Sequence, residues 1–299
     1  MMNGIINVYK EAGFTSHDVV AKLRGILKMK KIGHTGTLDP DATGVLPICL
    51  GKATKVCELL TDKDKTYEAV LLLGTTTDTQ DTSGEVLTTS EVTSTREEVE
   101  EAILSFVGDY DQIPPMYSAL KVNGKKLYEL AREGKEVERK ARRVRINHIT
   151  ITSIDLEKKE VVMTVSCSKG TYIRTLCYDI GEKLGCGGCM KQLTRTKVSQ
   201  FELSESLTLS EIESYRDQGT LLEHIMPIED MFPEYTRVVI KEEFCRFIYN
   251  GNPFKEDYIE KKNSEITTPQ VCVYDSHGEF VGIYKKESNT TYKPVKMFL

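Results

Sequence analysis

The residues best suited to chemistry lie in 33–47, GHTGTLDPDATGVLP, where Asp39 and Asp41 stand among three glycines. Glycine admits backbone angles closed to other residues, and Asp-Pro favours a turn, so this is a loop stiffened by Pro40. A carboxylate held on a rigid loop is a common start for an active site; a solvated surface turn is the competing reading. Oxygen side chains at alternate positions from Asp39, followed by Gly44, imitate the opening of a calcium loop. The twelfth position should be a bidentate acid and is Leu50, so calcium is not expected. No Lys-Ser or Lys-Thr pair follows the glycines, which removes a phosphate-binding P-loop. Cys186 and Cys189 have the spacing of half a zinc site or a redox pair, but nothing completes four ligands, so they read as structural thiols. Neither metal nor cofactor is expected. His34, between Gly33 and Thr35, reads as an exposed histidine on the same loop. Farther along, SKGTYIRT (168–175) closes a strand and opens a helix, placing Tyr172 and Arg174 at a sheet edge. Tyr67 begins another strand.

These groups need a frame. Residues 3–9 read as a strand. A helix from about Ser16 to Lys30 follows, with Val19, Val20, Leu23, Ile26 and Leu27 at helical spacing. Residues 66–74 form a strand, 75–85 a polar loop, and 95–106 a helix capped by Ser94 or Thr95. An irregular basic insertion runs from about 113 to 143, with a short helix near 127–132. Strands at 143–156 and 160–168 precede a helix over 172–184. A strand at 191–198 and a helix at 210–218, capped by Ser210, complete the series. Strands and helices mix without regular alternation, which predicts an α+β fold with a mixed, largely antiparallel sheet flanked by helices. Near Phe232 the texture changes to short strands and turns. The hairpin signal in VCVYDSHGEFVGIYKK marks 236–299 as a small β-rich second domain after a 1–235 catalytic domain.

Net charge is −5, yet charge is segregated. Residues 22–31 hold five basic side chains and no acid; 121–145 hold ten basic and four acidic, whereas 202–237 hold nine acidic and two basic. A basic face on an acidic protein suits a phosphate backbone. No apolar run reaches membrane-span length and the N-terminus has no secretory pattern, so a cytoplasmic protein is expected. The eight cysteines are then expected to be mostly buried, reduced hydrophobes.

Four stretches, taken together, resemble the bacterial tRNA pseudouridine synthases of the TruB type: GHTGTLDPDATGVLPICLG (33–51), KTYEAVLLLGTTTDTQDTSGE (65–85), IPPMYSALKVNGKKLYELAREG (113–134) and CSKGTYIRTLCYDIGEKLGCG (167–187). The resemblance runs in order from about Ile6 to Thr196 and is highly specific. Cys189 departs from it, standing where a histidine is often expected. The last domain resembles only loosely the small PUA-like RNA-binding domain of such proteins.

The resemblance implies isomerisation of uridine 55 in the tRNA T-loop, with no cofactor, by a monomer that binds the T-arm stem-loop. It implies Asp39 as the carboxylate acting on the sugar and Arg174 as its counter-charge. Tyr67 would stack on the uracil and is a candidate to take the C5 proton. Leu193 and Tyr172 would line the base pocket, His34 would fill the space left by the flipped base, and the basic insertion would close over the RNA. Two rivals stay open: an RNA-binding or RNA-folding protein with a vestigial pocket, and a glycosidase that releases the base.

Overall fold

The computed structural model describes residues 2–122, 124–260, 266, 268–288 and 290–299. The chain opens with β1 (Gly4–Lys10), α1 (Ser16–Leu27), β2 (Ile32–His34) and β3 (Thr43–Leu50). Then come α2 (Cys57–Thr61), β4 (Lys65–Leu73), β5 (Thr75–Thr77), β6 (Val86–Thr89), α3 (Arg96–Leu104) and β7 (Gly108–Gln112). The insertion carries β8 (Lys121–Val122), β9 (Lys125–Lys126) and α4 (Leu127–Arg132). Next are β10 (Arg142–Asp155), β11 (Glu160–Cys167), α5 (Ile173–Leu184), β12 (Gly188–Val198), β13 (Phe201–Glu202) and α6 (Leu209–Gln218). The last stretch holds β14 (Thr236–Val239), α7 (Cys245–Tyr249), β15 (Phe254–Lys255), β16 (Gln270–Tyr274), β17 (Phe280–Lys286) and β18 (Thr291–Met297).

The main sheet runs β1-β3-β12-β4-β11-β10-β7, with β2 added on β3 and β13 on β12. Every neighbouring pair is antiparallel except β3 with β12. This is the mixed, largely antiparallel sheet of an α+β fold. Alternation decides which face each strand buries. Along β4, Lys65, Tyr67, Ala69, Leu71 and Leu73 turn inward. They meet Val161, Met163 and Val165 of β11 and Leu176 and Ile180 of α5 in one core. Helix α1 forms because Thr15 and Asp18 cap it reciprocally, and it buries Val19, Val20, Leu23 and Leu27 against β1 and β3.

Several boundaries differ from the sequence reading. Helix α1 stops at Leu27 rather than Lys30, because Lys28 turns left-handed (φ 50°) and its N–H returns to the Arg24 carbonyl. Residues 75–85 are not all loop: the β-branched Thr75–Thr77 pair with Val86–Thr89 as a two-stranded hairpin. Helix α6 is capped by Thr208, not Ser210, since Glu211 stands at the position that completes a capping box with Thr208. The loop read as running from Gly33 begins with strand, as Ile32–His34 pair with β3.

The final residues form a five-stranded sheet, β14-β16-β17-β18-β15. It shares a core with the main sheet: Ile5, Val45, Cys49 and Val56 pack with Cys272, Tyr274, Ile283 and Phe298. Lys55 Nζ donates to the Met297 carbonyl at 2.7 Å, and Lys296 Nζ to the Lys55 carbonyl at 2.6 Å.

Candidate functional site

Asp39 sits on the hairpin between β2 and β3. The turn is closed by Ala42 N–H donating to the Asp39 carbonyl at 3.1 Å. From outside, Leu38 N–H donates to Ser16 Oγ at 2.9 Å. Lys10, fully buried at the end of β1, donates to the carbonyls of Pro40 (2.8 Å) and Ala42 (2.6 Å). Burial lowers the Lys10 pKa to about 8, against the raising pull of Asp39 and Asp41. Gly44 lies alongside Arg195 in the parallel β3–β12 pairing. Its φ is +105°, and a Cβ there would meet the Arg195 carbonyl oxygen at 2.2 Å. Only glycine lets the hairpin lie this close to β12.

Arg174, in the first turn of α5, reaches this carboxylate. Its Nη2 donates to Asp39 Oδ1 at 3.3 Å and to the Tyr117 carbonyl at 2.6 Å, and Nη1 faces Asp81 Oδ2 at 3.7 Å. The Arg174 side chain is 6% exposed, whereas Asp39 keeps 39% of its side-chain surface open. One guanidinium thus ties together the hairpin, the Thr79–Asp81 turn and the insertion. Burial pushes the Asp39 pKa above the usual aspartate range, and Arg174 opposes that push. Tyr172 precedes α5 and is locked by Gln112, which accepts its N–H at 2.8 Å and donates to its carbonyl at 2.9 Å. Its ring is half-exposed, and burial raises its pKa.

Tyr67 and Leu193 belong to the core cluster that includes Leu38 and Ala42, the flanks of the aspartate turn. Strand register puts Leu193 opposite Ala69 and Arg195 opposite Tyr67. The Tyr67 hydroxyl feels the Arg195 cation on the neighbouring strand, and burial raises its pKa despite that cation, so the phenol is protonated at neutral pH. Arg195 is itself 1% exposed; its Nε donates to the Val45 carbonyl at 2.7 Å and its Nη2 to the Gly36 carbonyl at 3.3 Å.

Among the sequence-named residues, the structure puts Asp39 in contact with Arg174, and Tyr67 and Leu193 in the core cluster that flanks the aspartate turn. His34 is the last residue of β2, where the loop to Asp39 begins. It is half-buried rather than exposed, because it pairs with Ile48 as strand. Its Nδ1 accepts the Gly36 N–H at 3.3 Å and its ring meets His17 edge-on at 5.0 Å. Burial lowers its pKa, with His17 and Arg195 adding to the shift, so it is neutral at neutral pH. His34 ends a cleft of about 560 Å³ walled by Arg24, Lys30 and Lys31. This cleft takes three of the five basic residues of the run 22–31, and Asp39 is not among its lining residues. Lys10, Asp81 and Arg195 were not singled out from sequence. A usable signal existed for Arg195: it shares strand parity with apolar Leu193, which marks a buried arginine in need of partners.

Among the described residues no cluster of three His, Cys, Asp or Glu could hold a metal, and Cys186 and Cys189 are free and buried.

Residues 24–173 match the TruB family pseudouridylate synthase N-terminal domain, and 174–232 match the tRNA pseudouridylate synthase B C-terminal domain. The tRNA pseudouridine synthase B of Lachnoclostridium phytofermentans is 59% identical over 307 residues, covering 100% of both chains. That of Clostridioides difficile is 45% identical over 304 residues, again covering 100% of both. Among solved structures, an H/ACA RNP bound to a substrate RNA containing 2'-deoxyuridine matches with TM-score 0.72 and 25% identity, over 99% of this chain and 85% of that one. A Cbf5-Nop10-Gar1 complex gives TM-score 0.72 at 27% identity, with the same coverage. No helix among the described residues is long and apolar enough to cross a membrane. The chain belongs to the TruB family of tRNA pseudouridine synthases, isomerases that form pseudouridine in tRNA.

Proposed function

We propose that this enzyme isomerises uridine 55 in the T-loop of tRNA, acting on the flipped base from the mouth formed by Asp39, Tyr67 and Arg174. The observation that carries the reading is the Asp39 carboxylate, open to solvent on one side and ion-paired at 3.3 Å to a buried arginine on the other. Pseudouridine is an isomer of uridine: the C1′–N1 bond breaks, C1′–C5 forms, the C5 proton leaves and N1 gains one. Nothing is oxidised or added, so the reaction needs no cofactor. Asp39 is the carboxylate acting at the sugar, as nucleophile at C1′ or as base at C2′. Arg174 holds it oriented through the guanidinium fork. Tyr67 offers its ring to the uracil, and Arg195 beside its hydroxyl is the cation that would stabilise a phenolate if Tyr67 takes the C5 proton. Leu193 and Tyr172 line the base pocket.

Extracting the base costs roughly a few kcal/mol of stacking and pairing. His34, neutral and apolar-faced on a short strand, fills the vacated space. The cleft walled by Arg24, Lys30 and Lys31 receives phosphates, and the insertion closes over the stem. The reading makes the protein a monomer acting on tRNA in the cytoplasm, its last domain a PUA-like RNA contact. Because cleft and carboxylate are separate, RNA binding and refolding can proceed without chemistry. The test is position mapping of pseudouridine in a T-arm stem-loop after incubation with the full chain. Product only at uridine 55, lost when that base is cytidine, is expected. Modification elsewhere, or release of free uracil, would overturn the assignment.

A further inference from the structure

Cys57 is the one cysteine of the eight that is not buried. It lines the same cleft as Arg24, Lys30, Lys31, His17 and His34. Its sulfur packs over Gly33, where a Cβ would meet Cys57 Sγ at 3.2 Å. Gly33 is in turn the ladder partner of Cys49. Both cysteines pack into one apolar cluster, with Cys49 wholly enclosed beneath. We propose that Cys57 and Cys49 form an oxidant-responsive dithiol, a modification site opening on the basic cleft.

Three observations support this. A reactive thiol needs partial exposure in an electropositive setting, and the cleft supplies both. The neighbouring Cys49 thiol lowers the Cys57 pKa against the opposing effect of burial, whereas Cys49 is raised. Burial raises the thiols of Cys167, Cys177, Cys189 and Cys272, which leaves them inert by comparison. The step balances with hydrogen peroxide as oxidant. The Cys57 thiolate attacks the peroxide O–O bond, which breaks to give a sulfenic acid and, with one proton, water. The Cys49 thiol then displaces hydroxide from the sulfenic sulfur, forming the disulfide and a second water with the thiol proton. Closing the pair to the roughly 2 Å of an S–S bond draws Cys57 off Gly33 toward β3. That moves the cleft wall carrying Thr54 beside His34. Its consequence, weaker RNA binding, rests on the reading of the cleft given above; the modification itself does not.

The experiment treats the reduced full chain with stoichiometric hydrogen peroxide and maps peptides under non-reducing conditions. A Cys49–Cys57 peptide pair lighter by two hydrogens, formed first and reversed by dithiothreitol, is expected. In Cys49→Ser the sulfenic acid should persist at Cys57 and be trapped by dimedone. Cross-linking elsewhere, or Cys57 reacting no faster than the buried thiols, would overturn the proposal. Filter binding of a T-arm stem-loop reads the consequence: affinity lost on oxidation, restored by dithiothreitol, and unresponsive in Cys57→Ser. An affinity unchanged by the disulfide would overturn the regulatory half. Mapping needs no RNA, so its outcome stands apart from any failure of the functional reading.

Discussion

Arg195 is where several strands of the frame converge: it stands opposite Tyr67 and braces the carbonyls of Gly36 and Val45. Removing the donor of two buried carbonyls leaves those acceptors unpaired, at a cost of about 1–3 kcal/mol each. We expect Arg195→Gln to lose stability of about that size in urea unfolding, with product formation falling alongside. A loss under about 1 kcal/mol would mean that the guanidinium is not a brace. Asp39, Tyr67, Tyr172 and Arg174 were legible because they lie inside long motifs with turns or junctions around them. Lys10, Asp81 and Arg195 were not, since the β1–β3 and β3–β12 pairings bring Lys10 and Arg195 to their carbonyls, and Asp81 meets Arg174 of α5 only in the folded chain. The exposure of His34 was misjudged for a related reason: a glycine-flanked histidine reads as loop until β3 pairs with it.

The decisive element is the β2–β3 hairpin, held by Lys10 below and by Gly44 against β12. Gly44→Ala places a Cβ against a backbone oxygen at a positive φ. It should cost roughly 2 kcal/mol or more and lower product formation with the hairpin displaced. Thermal unfolding beside single-turnover product formation checks this, and a neutral Gly44→Ala would contradict the close approach. Lys10 gives a pH signature. Its folded pKa of about 8 lies below the ordinary 10.5, so the native state binds fewer protons than the unfolded chain between those values. Stability therefore rises with pH across that window, and the cost of the buried charge is full below it. Lys65 is lowered to about 8 as well, so the comparison must be with Lys10→Met. The stability of wild type relative to Lys10→Met should grow from pH 8 to about 10; a constant difference would contradict it. Most elements were legible from periodicity and caps. The β5–β6 hairpin was missed because threonine-rich polar sequence reads as loop until its partner strand is found.

At the scale of the molecule, an acidic chain presents a basic cleft and a basic insertion. RNA affinity should therefore fall steeply with salt. Neutralising about four phosphates would cost roughly a hundredfold between about 50 and 200 mM. A flat salt response would remove the basic face from the account. The α+β class and the β-rich tail were readable from sequence texture; the core shared by the two sheets was not, since Phe298 meets Val45 and Cys49 only in the folded chain. The central claim is that Asp39 performs chemistry while the basic surfaces supply affinity. The most direct measurement is tritium release from tRNA labelled at uracil C5, comparing wild type with Asp39→Asn and with filter binding in parallel. The account predicts no release by Asp39→Asn with affinity kept within about threefold, because the electrostatic term that holds RNA is untouched. Normal release by that variant would contradict it.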